Sequence, residues 1–286
     1  MHHHSKVRNI MYCGHRTLFI NYADAGFAKA QQLGLWAGKF FGKFDEVKGY
    51  GPDDLDPAFR KQYSQTLSVQ RGAGLWLWKP YIILKALDQL AEGDYLFYCD
   101  SGAFFLRSCK YIFDAMQNSD IWVSDIPLIE KEWSKPALFQ KYGIGENDNI
   151  RYSNQIQGGF IGVRKSESSV ALIRKWYHAC CVPELLWPMD HAEPHGDCIA
   201  HREDQSILSV LCKIEGIKPH RDPTQFGRLP EKYRLENAAY IVPSHSEDDF
   251  PALIILHRSK DCEKLIIIKK IFMVFLPIPI LKRLMK

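Results

Sequence analysis

The sequence predicts a single α/β domain, a three-layer α/β/α sandwich around a mostly parallel sheet. Stretches rich in aromatic and β-branched residues alternate with stretches of helical periodicity across the first half of the chain, which is typical of this class. Residues 95–99 form a continuous apolar run, the pattern of a strand buried in a parallel sheet. Neither an internal repeat nor a linker interrupts residues 17–260, so we expect one domain over residues 6–260, followed by a separate tail.

Each element of the first half has a local signal. Apolar and β-prone runs predict strands, turn residues predict the loop, and Pro80 suits the first turn of a helix. The predicted elements are strands at 17–22, 44–50 and 95–99, helices at 27–38, 59–67 and 81–90, and a loop at 51–57.

The second half continues the alternation with less regular spacing. Ser166 is a suitable N-cap for a helix that reaches about residue 181. We predict helices at 111–116, 137–141, 167–181 and 203–213, strands at 120–124, 253–256 and around Ile241, and a long loop at 183–200. Residues 155–164 are predicted to be a glycine-bearing turn that enters a strand.

Composition limits the possible functions. The chain has 286 residues, of which 46% are hydrophobic and 24% charged, as in ordinary soluble domains. A net charge of +4, without a basic patch interleaved with aromatic residues, argues against a nucleic-acid partner. The eight cysteines show no framework spacing, so we expect thiols in a reducing compartment. His2–His4 are native or a tag remnant and are left out of the fold prediction.

The C-terminal tail, residues 261–286, differs from the rest. Residues 264–286 contain six basic residues, no acidic one and an uncharged run from Ile271 to Leu281. This run is shorter than the roughly 20 residues that span a bilayer. Basic residues around aliphatic and aromatic ones are typical of a segment that lies in the membrane interface. The alternative is a helix packed on the domain.

A carboxylate marks the end of the predicted strand at 95–99. Asp100 follows the strand directly, and Ser101 and Gly102 follow Asp100. Ligands of open α/β sheets bind beyond the carboxyl ends of the strands, so the position predicts a site. The alternative is that Asp100 only caps a following helix.

Four landmarks then occur in a recognisable order. Asp100-Ser-Gly102 ends one strand, the pair Gly158-Gly159 begins a later one, Glu203-Asp204 opens a helix, and His257 follows a late strand. This order resembles that of glycosyltransferases of the GT-A fold. Three segments resemble, more closely, a family of bacterial capsular and surface polysaccharide glycosyltransferases; the segments are Arg71-Gly-x-Gly-x-Trp-x-Trp-Lys-Pro80, Asp100-Ser-Gly102 and His201-Arg-Glu-Asp-Gln-Ser206. The resemblance covers about residues 17–258.

The resemblance implies a nucleotide-sugar donor. Tyr22 and Asp24 would hold the base and ribose, with Asp24 as a simple helix cap the alternative. Asp100, with Ser101 and Gly102, would hold ribose or a metal. Asp100 and His257 are the candidate ligands of Mn²⁺ or Mg²⁺, although Gly102 stands where a second aspartate is common and leaves the metal open.

The resemblance also implies how the reaction is catalysed. Arg71 and Lys79 would neutralise the diphosphate by charge, unless they are ordinary surface residues. Asp204, in the first turn of a helix whose positive end keeps it ionised, is the predicted general base, with Glu203 as the alternative. A base there implies an inverting reaction.

The predicted acceptor side involves several further residues. Gly158 and Gly159 would make a tight turn that lets backbone amides approach the sugar or acceptor; the alternative is a bulge entering a strand. The side chains expected to contact or shape the acceptor site are Gln155, Gln157, His201, Arg202, Gln205 and Trp187.

Three alternatives remain open or disfavoured. His191, His195, Cys198 and His201 are potential zinc ligands, but their spacing matches no common zinc motif. A non-catalytic nucleotide-sugar- or glycan-binding protein of the same fold is the alternative function. A nucleotidyltransferase would need a basic glycine-rich loop after the first strand, which Ala23-Asp-Ala-Gly26 does not provide.

The tail predicts a cytoplasmic protein at the inner face of the inner membrane, acting on a glycan that is lipid-linked.

Overall fold

The computed structural model describes residues 11–116, 118–189, 196–233, 238–245, 248, 250–277, 279, 280 and 283. Its centre is a five-stranded sheet in the order β2-β1-β3-β6-β5. A second, two-stranded antiparallel sheet pairs β4 with β7. The strands are β1 (Thr17–Tyr22), β2 (Glu46–Tyr50), β3 (Tyr95–Cys99), β4 (Ala103–Phe105), β5 (Ile121–Ile129), β6 (Asn154–Arg164) and β7 (Ile254–Leu256).

Helices connect these strands. The helices of the described residues are α1 (Ala28–Phe40), α2 (Pro57–Gln62), α3 (Ser64–Leu67), α4 (Gly72–Leu75), α5 (Trp78–Leu87), α6 (Lys110–Asp114), α7 (Glu130–Trp133), α8 (Pro136–Lys141), α9 (Asn149–Tyr152), α10 (Glu167–Cys180), α11 (Pro183–Leu186), α12 (Glu203–Ile214), α13 (Gln225–Arg228) and α14 (Lys264–Phe275).

The central sheet is mostly parallel, as predicted. β1 pairs in parallel with both β2 and β3, whereas β6 is antiparallel to β3 and β5. Four of the five strands therefore run in one direction, with β6 opposed. The single α/β domain is confirmed, and the carboxyl ends of β1 and β3 meet at one edge, where a ligand site is expected.

Two buried clusters make the three layers. On one face of the sheet, apolar residues of β1 and β3 pack against α5, α10 and α12. On the other face, Phe19, Phe97 and Trp122 pack against α1, α6 and the β4–β7 sheet. The alternation of Leu18, Phe19 and Ile20 between the two clusters is the period of two that a strand imposes on its side chains.

Local signals located most helices well. Ser166 is the N-cap of α10, where its hydroxyl accepts a hydrogen bond from the amide of Ser169. Pro80 lies in the first turn of α5, as predicted. The predicted strand around Ile241 is wrong: only Tyr240 forms an isolated bridge, with Leu128. The zinc candidates His191 and His195 lie outside the described residues.

The tail begins as a helix that packs on the domain. On α14, Met273 and Val274 are buried, and Val274 packs against Ala252 and Ile255. The guanidinium of Arg228 donates to the carbonyls of Met273, Val274 and Leu276. Among the described residues no helix is long and apolar enough to cross a bilayer. One side of α14 therefore packs on the domain, as the alternative prediction for the tail has it. Membrane contact stays a prediction for the other side of the helix.

Candidate active site

A cavity of about 520 Å³ opens at the carboxyl ends of β1 and β3. The predicted donor residues Tyr22, Asp24, Asp100, Ser101 and Gly102 line it, as do Gln157, Gly159 and Gln205 from the predicted acceptor set. The fold thus brings together residues from four distant parts of the sequence.

An aromatic pair forms one wall of the cavity. The rings of Tyr22 and Trp78 stack with centroids 3.8 Å apart and an interplanar angle of 14°. The hydroxyl of Ser101 donates to the carbonyl of Tyr22 over 2.5 Å, which holds the turn after β3 against the end of β1. Tyr22 and Trp78 are only 6% and 4% exposed, so the stacked pair is a rigid, largely buried part of this wall.

Asp100 is the carboxylate that faces the cavity. Its side chain is 42% exposed, and its Oδ1 accepts a 2.7 Å hydrogen bond from the hydroxyl of Tyr98. A turn and β4 follow it, so Asp100 caps no helix and that alternative is wrong. Asp24 does both things proposed for it: it lines the cavity and accepts a hydrogen bond from the amide of Phe27.

Lys79 is buried behind the cavity, between two carboxylates. Its ammonium lies 2.9 Å from Oδ2 of Asp204 and 3.8 Å from Oδ1 of Asp100, and it donates to the carbonyl of Gly158 over 3.1 Å. Burial acts to lower the pKa of Lys79, but the two carboxylates outweigh it and hold the pKa above its ordinary value. Lys79 is therefore not surface charge, and its nearest charged partner is Asp204.

Asp204 lies in the first turn of α12, as predicted, but it does not line the cavity. Its side chain is 4% exposed. Burial raises the pKa of Asp204 to about 7; the charge of Lys79 opposes this, while Asp100 and Glu203 add to it. Such a group exchanges a proton near neutral pH.

Arg71 pairs with the other candidate base. Its guanidinium Nε donates to Oε1 of Glu203 over 2.6 Å, and Glu203 is buried. Glu203 has a φ of 41°, in the left-handed region that side chains other than glycine rarely adopt. Arg71 does not line the cavity, so its predicted role toward a diphosphate is not matched by its position.

Gly158 and Gly159 are not a turn, which corrects the sequence prediction. Both lie inside β6, with extended backbone. A Cβ on Gly158 would lie 3.3 Å from Oδ2 of Asp204, and one on Gly159 would lie 3.2 Å from Oδ2 of Asp100. The glycines therefore leave room beside the strand for the two carboxylates.

Gly102 leaves room in a different way. Its Cβ would lie 3.0 Å from the Cα of Arg258, and its carbonyl accepts hydrogen bonds from the amides of His257 and Arg258. A second aspartate at this position would displace the backbone after β7. The departure from the usual Asp-x-Asp pattern thus has a steric reason.

Several predicted acceptor residues lie behind the cavity wall. Gln155 is buried and donates to Glu130 and Ser206. His201 contacts the carbonyl of Leu185 at 2.8 Å, and burial lowers its pKa to about 3.

Arg202 and Trp187 do not line the cavity either. Arg202 stacks over the ring of Trp133, with its guanidinium carbon 4.5 Å from the ring centroid. Trp187 donates to the hydroxyl of Thr66. The positions of Arg202 and Trp187, like those of Gln155 and His201, do not match direct sugar contact.

Two glutamines remain at the cavity. Gln157 donates to Ser124 and Asp222, and Gln205 accepts from the amide of Gly158 over 3.0 Å. Gln205 therefore bridges the start of α12 and β6 beside the cavity.

Sequence reasoning missed two cations. Arg258 and Lys260 line the cavity, and neither forms an ion pair with any carboxylate among the residues the structure describes. They follow β7 closely, so their position after a strand end was a usable signal. Arg258 and Lys260 thus offer positive charge to the cavity that no carboxylate of the described residues pairs with.

The predicted metal ligands provide at most two protein donors. Asp100 faces the cavity, and Nε2 of His257 is a buried nitrogen with no hydrogen-bond partner in the described part of the chain. No group of three or more His, Cys, Asp or Glu side chains within those residues is arranged to hold a metal. The two side chains fit a divalent ion only if a ligand's oxygens complete its shell.

Comparison with known proteins gives structural similarity alone. No family model and no curated protein matches the sequence. Similar solved structures include mouse xyloside xylosyltransferase 1 (10% identity, 86% of this chain and 98% of that chain, TM-score 0.46). They also include an active-site mutant of LgtC (12%, 85% and 87%, 0.42) and GlyE of Streptococcus pneumoniae (13%, 86% and 55%, 0.40). All these TM-scores are below 0.5, and the identities lie between 10% and 13%.

Proposed function

We propose that the protein is a glycosyltransferase that binds a nucleotide-sugar in the cavity at the ends of β1 and β3. One observation carries the proposal: Asp100 faces the cavity beside the Tyr22–Trp78 stack, and the buried Lys79 links it to Asp204. The partly exposed ring of Trp76, which also lines the cavity, suits a base or sugar ring, and a fixed carboxylate suits ribose hydroxyls. Asp24, Asp100 and the backbone of Ser101 would contact the nucleoside.

Arg258 and Lys260 are proposed to neutralise the leaving diphosphate. Glycosyl transfer separates charge, so fixed cations beside the departing oxygen lower the barrier. Their charge is not neutralised by neighbouring carboxylates within the described residues. The role first predicted for Arg71 and Lys79 passes to these two residues.

Where a divalent ion is bound, Asp100 and His257 would hold it, and it would add positive charge to the diphosphate. Oxygens of the diphosphate and water would complete its coordination, as is usual for Mg²⁺. Asp100 then serves both the donor and the ion.

Asp204 is proposed as the proton acceptor of an inverting transfer. A pKa of about 7 suits that role. Gln205, the next residue of α12, lines the cavity, whereas Asp204 does not. The proposal therefore requires the side chain of Gln205 to turn aside so that the acceptor hydroxyl reaches Asp204. We propose a surface or capsular glycan, held on a lipid at the cytoplasmic face of the inner membrane, as the acceptor.

A non-catalytic nucleotide-sugar-binding protein is the second candidate. The burial of Asp204 and its pairing with Lys79 favour it, since a structural counter-ion would be placed in the same way. Donor binding without turnover across a panel of donors and acceptors would support this candidate.

Turnover tests the proposal directly. The wild-type chain, incubated with a panel of nucleotide-sugars and short glycans, is expected to release nucleoside diphosphate from one donor. Asp100→Asn should lose most of this release, and Asp204→Asn should lose release while it still binds donor. Release that is equal in wild type and both variants would contradict the assignment.

A further inference from the structure

The outer side of α1 carries an exposed aromatic cluster. Trp36, Phe40 and Phe41 are 41% to 55% exposed. The ring of Trp36 lies 5.4 Å from the rings of both phenylalanines, centroid to centroid. Single exposed apolar residues are ordinary, but a contiguous aromatic group on a soluble domain marks an interaction surface.

A second exposed apolar stripe runs along α14. Leu265, Ile268, Phe272 and Phe275 are 46% to 82% exposed. Their spacing of three, four and three residues puts them on one side of the helix. The opposite side packs on the domain through Met273 and Val274. The exposed stripe is therefore not needed to hold α14 in place.

Phe104 of β4 joins the two surfaces. Its ring lies 6.2 Å from that of Trp36 and 5.7 Å from that of Phe41. It also packs in the cluster that contains Ile267, Ile271 and Val274 of α14. Phe104 therefore lies between the aromatic cluster and helix α14, and the cluster and the exposed stripe are together called here the α1–α14 surface.

Positive charge borders the α1–α14 surface. At about 100° per residue, Lys264 and Lys269 fall on either side of the stripe. The guanidinium carbon of Arg107 lies 4.9 Å from the ring centroid of Phe275. Residues 264–286 contain no acidic residue. Of the two acidic residues just before the helix, Asp261 is paired with Lys29 at 3.2 Å and Glu263 is the N-cap residue of α14. Exposed apolar residues with a basic border match the interface of a bilayer with anionic lipid.

We propose that the α1–α14 surface docks on an anionic lipid bilayer, with α14 in the plane of the headgroups and the aromatic cluster of α1 inserted beside it. The proposal shares the membrane contact of the proposed function but adds a part of the folded domain to it, and it is independent of glycosyl transfer. Because α1 and α14 belong to one folded domain, binding of one to the bilayer holds the other close to it. The membrane affinity of the two together therefore exceeds that of either alone without any new contact.

Vesicle sedimentation of the full-length chain tests the proposal. The probes are vesicles of phosphatidylcholine with phosphatidylglycerol, and vesicles of phosphatidylcholine alone. Wild type is expected to sediment with the first and much less with the second. The variant Trp36→Ser/Phe40→Ser/Phe41→Ser leaves the tail intact and should lower the vesicle affinity about tenfold or more, since it removes three inserted rings.

Matched variants separate docking from folding and from donor binding. Ile214→Ser, an exposed apolar residue at the end of α12, should leave sedimentation unchanged. Lys264→Glu/Lys269→Glu replaces two exposed lysines and should weaken binding to anionic vesicles only. The proposal would be overturned if both the α1 variant and the lysine variant sedimented with vesicles as the wild type does. It would also be overturned if the α1 variant lost self-association and kept its lipid binding. Donor-dependent melting temperature should be equal in all variants, because none of these residues lines the cavity.

Discussion

Lys79 is the residue on which the candidate site depends. It is buried with Asp204 and lies beside the partly exposed Asp100, and removal of one partner of a buried ion pair leaves an uncompensated buried charge. The polar contact to the carbonyl of Gly158 also links α5 to β6. Lys79 is therefore expected to hold the geometry of the site as well as its charge.

We expect Lys79→Met to destabilise the protein by about 3–5 kcal/mol, because Asp204 and Asp100 lose their counter-ion. Lys79→Met/Asp204→Leu, which removes the pair together, should recover much of this loss. Chemical denaturation measures both. The control is Lys85→Met, which breaks an exposed ion pair with Asp56 and should cost about 1 kcal/mol or less. Equal effects at Lys79 and Lys85 would contradict the buried ion pair.

Asp204 gives the stability a defined pH dependence. Its pKa in the folded state is about 7, above the ordinary value of 3.8. The folded state therefore holds this proton more tightly than the unfolded chain, so the contribution of Asp204 is fully present below pH 3.8 and is lost as the pH rises to about 7. Asp204→Asn cannot titrate and should flatten the slope of unfolding free energy against pH between about 4 and 7. A slope equal to that of wild type would show that Asp204 titrates normally.

Gly102 tests the steric reading of the turn after β3. We expect Gly102→Ala to weaken donor binding, since its Cβ would press on the backbone of Arg258 at 3.0 Å. Gly145→Ala is the matched control, because a Cβ there meets no heavy atom within 4 Å. Isothermal titration with the donor found in the turnover screen measures both. Gly102→Ala binding as tightly as Gly145→Ala would show that position 102 is free of this constraint.

At the scale of elements, periodicity and capping residues predicted the helices and strands better than residue types predicted the members of the site. Strand β1 has the predicted bounds, and Ser166 and Pro80 act as predicted because these signals are local. Ile241 failed as a strand, since pairing depends on a partner that the local sequence does not reveal. Gly158 and Gly159 were assigned to a turn because glycine is permissive in turns and is equally suited to close packing beside a strand.

The same limit explains the site residues. The sequence predicts Asp100 as a site residue because it directly follows an apolar run that is recognisable as a strand. Arg258 and Lys260 reach the cavity only through the pairing of β7 with β4, which the local sequence does not reveal. The burial of Gln155 and His201 also follows from tertiary packing. Their residue types suggest sugar contact, but their positions behind the cavity wall do not match it.

Helix α14 is the element whose removal separates packing from docking. Truncation before Lys264 should lower the melting temperature, because Met273 and Val274 leave the domain and Arg228 loses its acceptor carbonyls. Ile268→Ser/Phe272→Ser keeps these contacts and should leave the melting temperature nearly unchanged. Calorimetry compares the two. A melting temperature for the truncated chain equal to that of wild type would contradict the packing of α14.

At the scale of the whole molecule, the fold brings the ends of β1, β3 and β7 and the start of α12 to one cavity. Each supplies a different part: an aromatic wall, a carboxylate, two cations and a buried ion pair. The central claim is that this cavity binds a nucleotide-sugar.

The measurement that tests the claim most directly is the melting temperature of the wild type and Asp100→Asn against a panel of nucleotide-sugars, with and without Mn²⁺. A ligand that binds the folded state at 100 times its Kd stabilises it by about 2.7 kcal/mol. We predict a rise for one class of donor in the wild type that is strongly reduced in Asp100→Asn, and is larger with Mn²⁺ if Asp100 and His257 hold the ion. No rise with any donor, or an equal rise in both proteins, would contradict the claim.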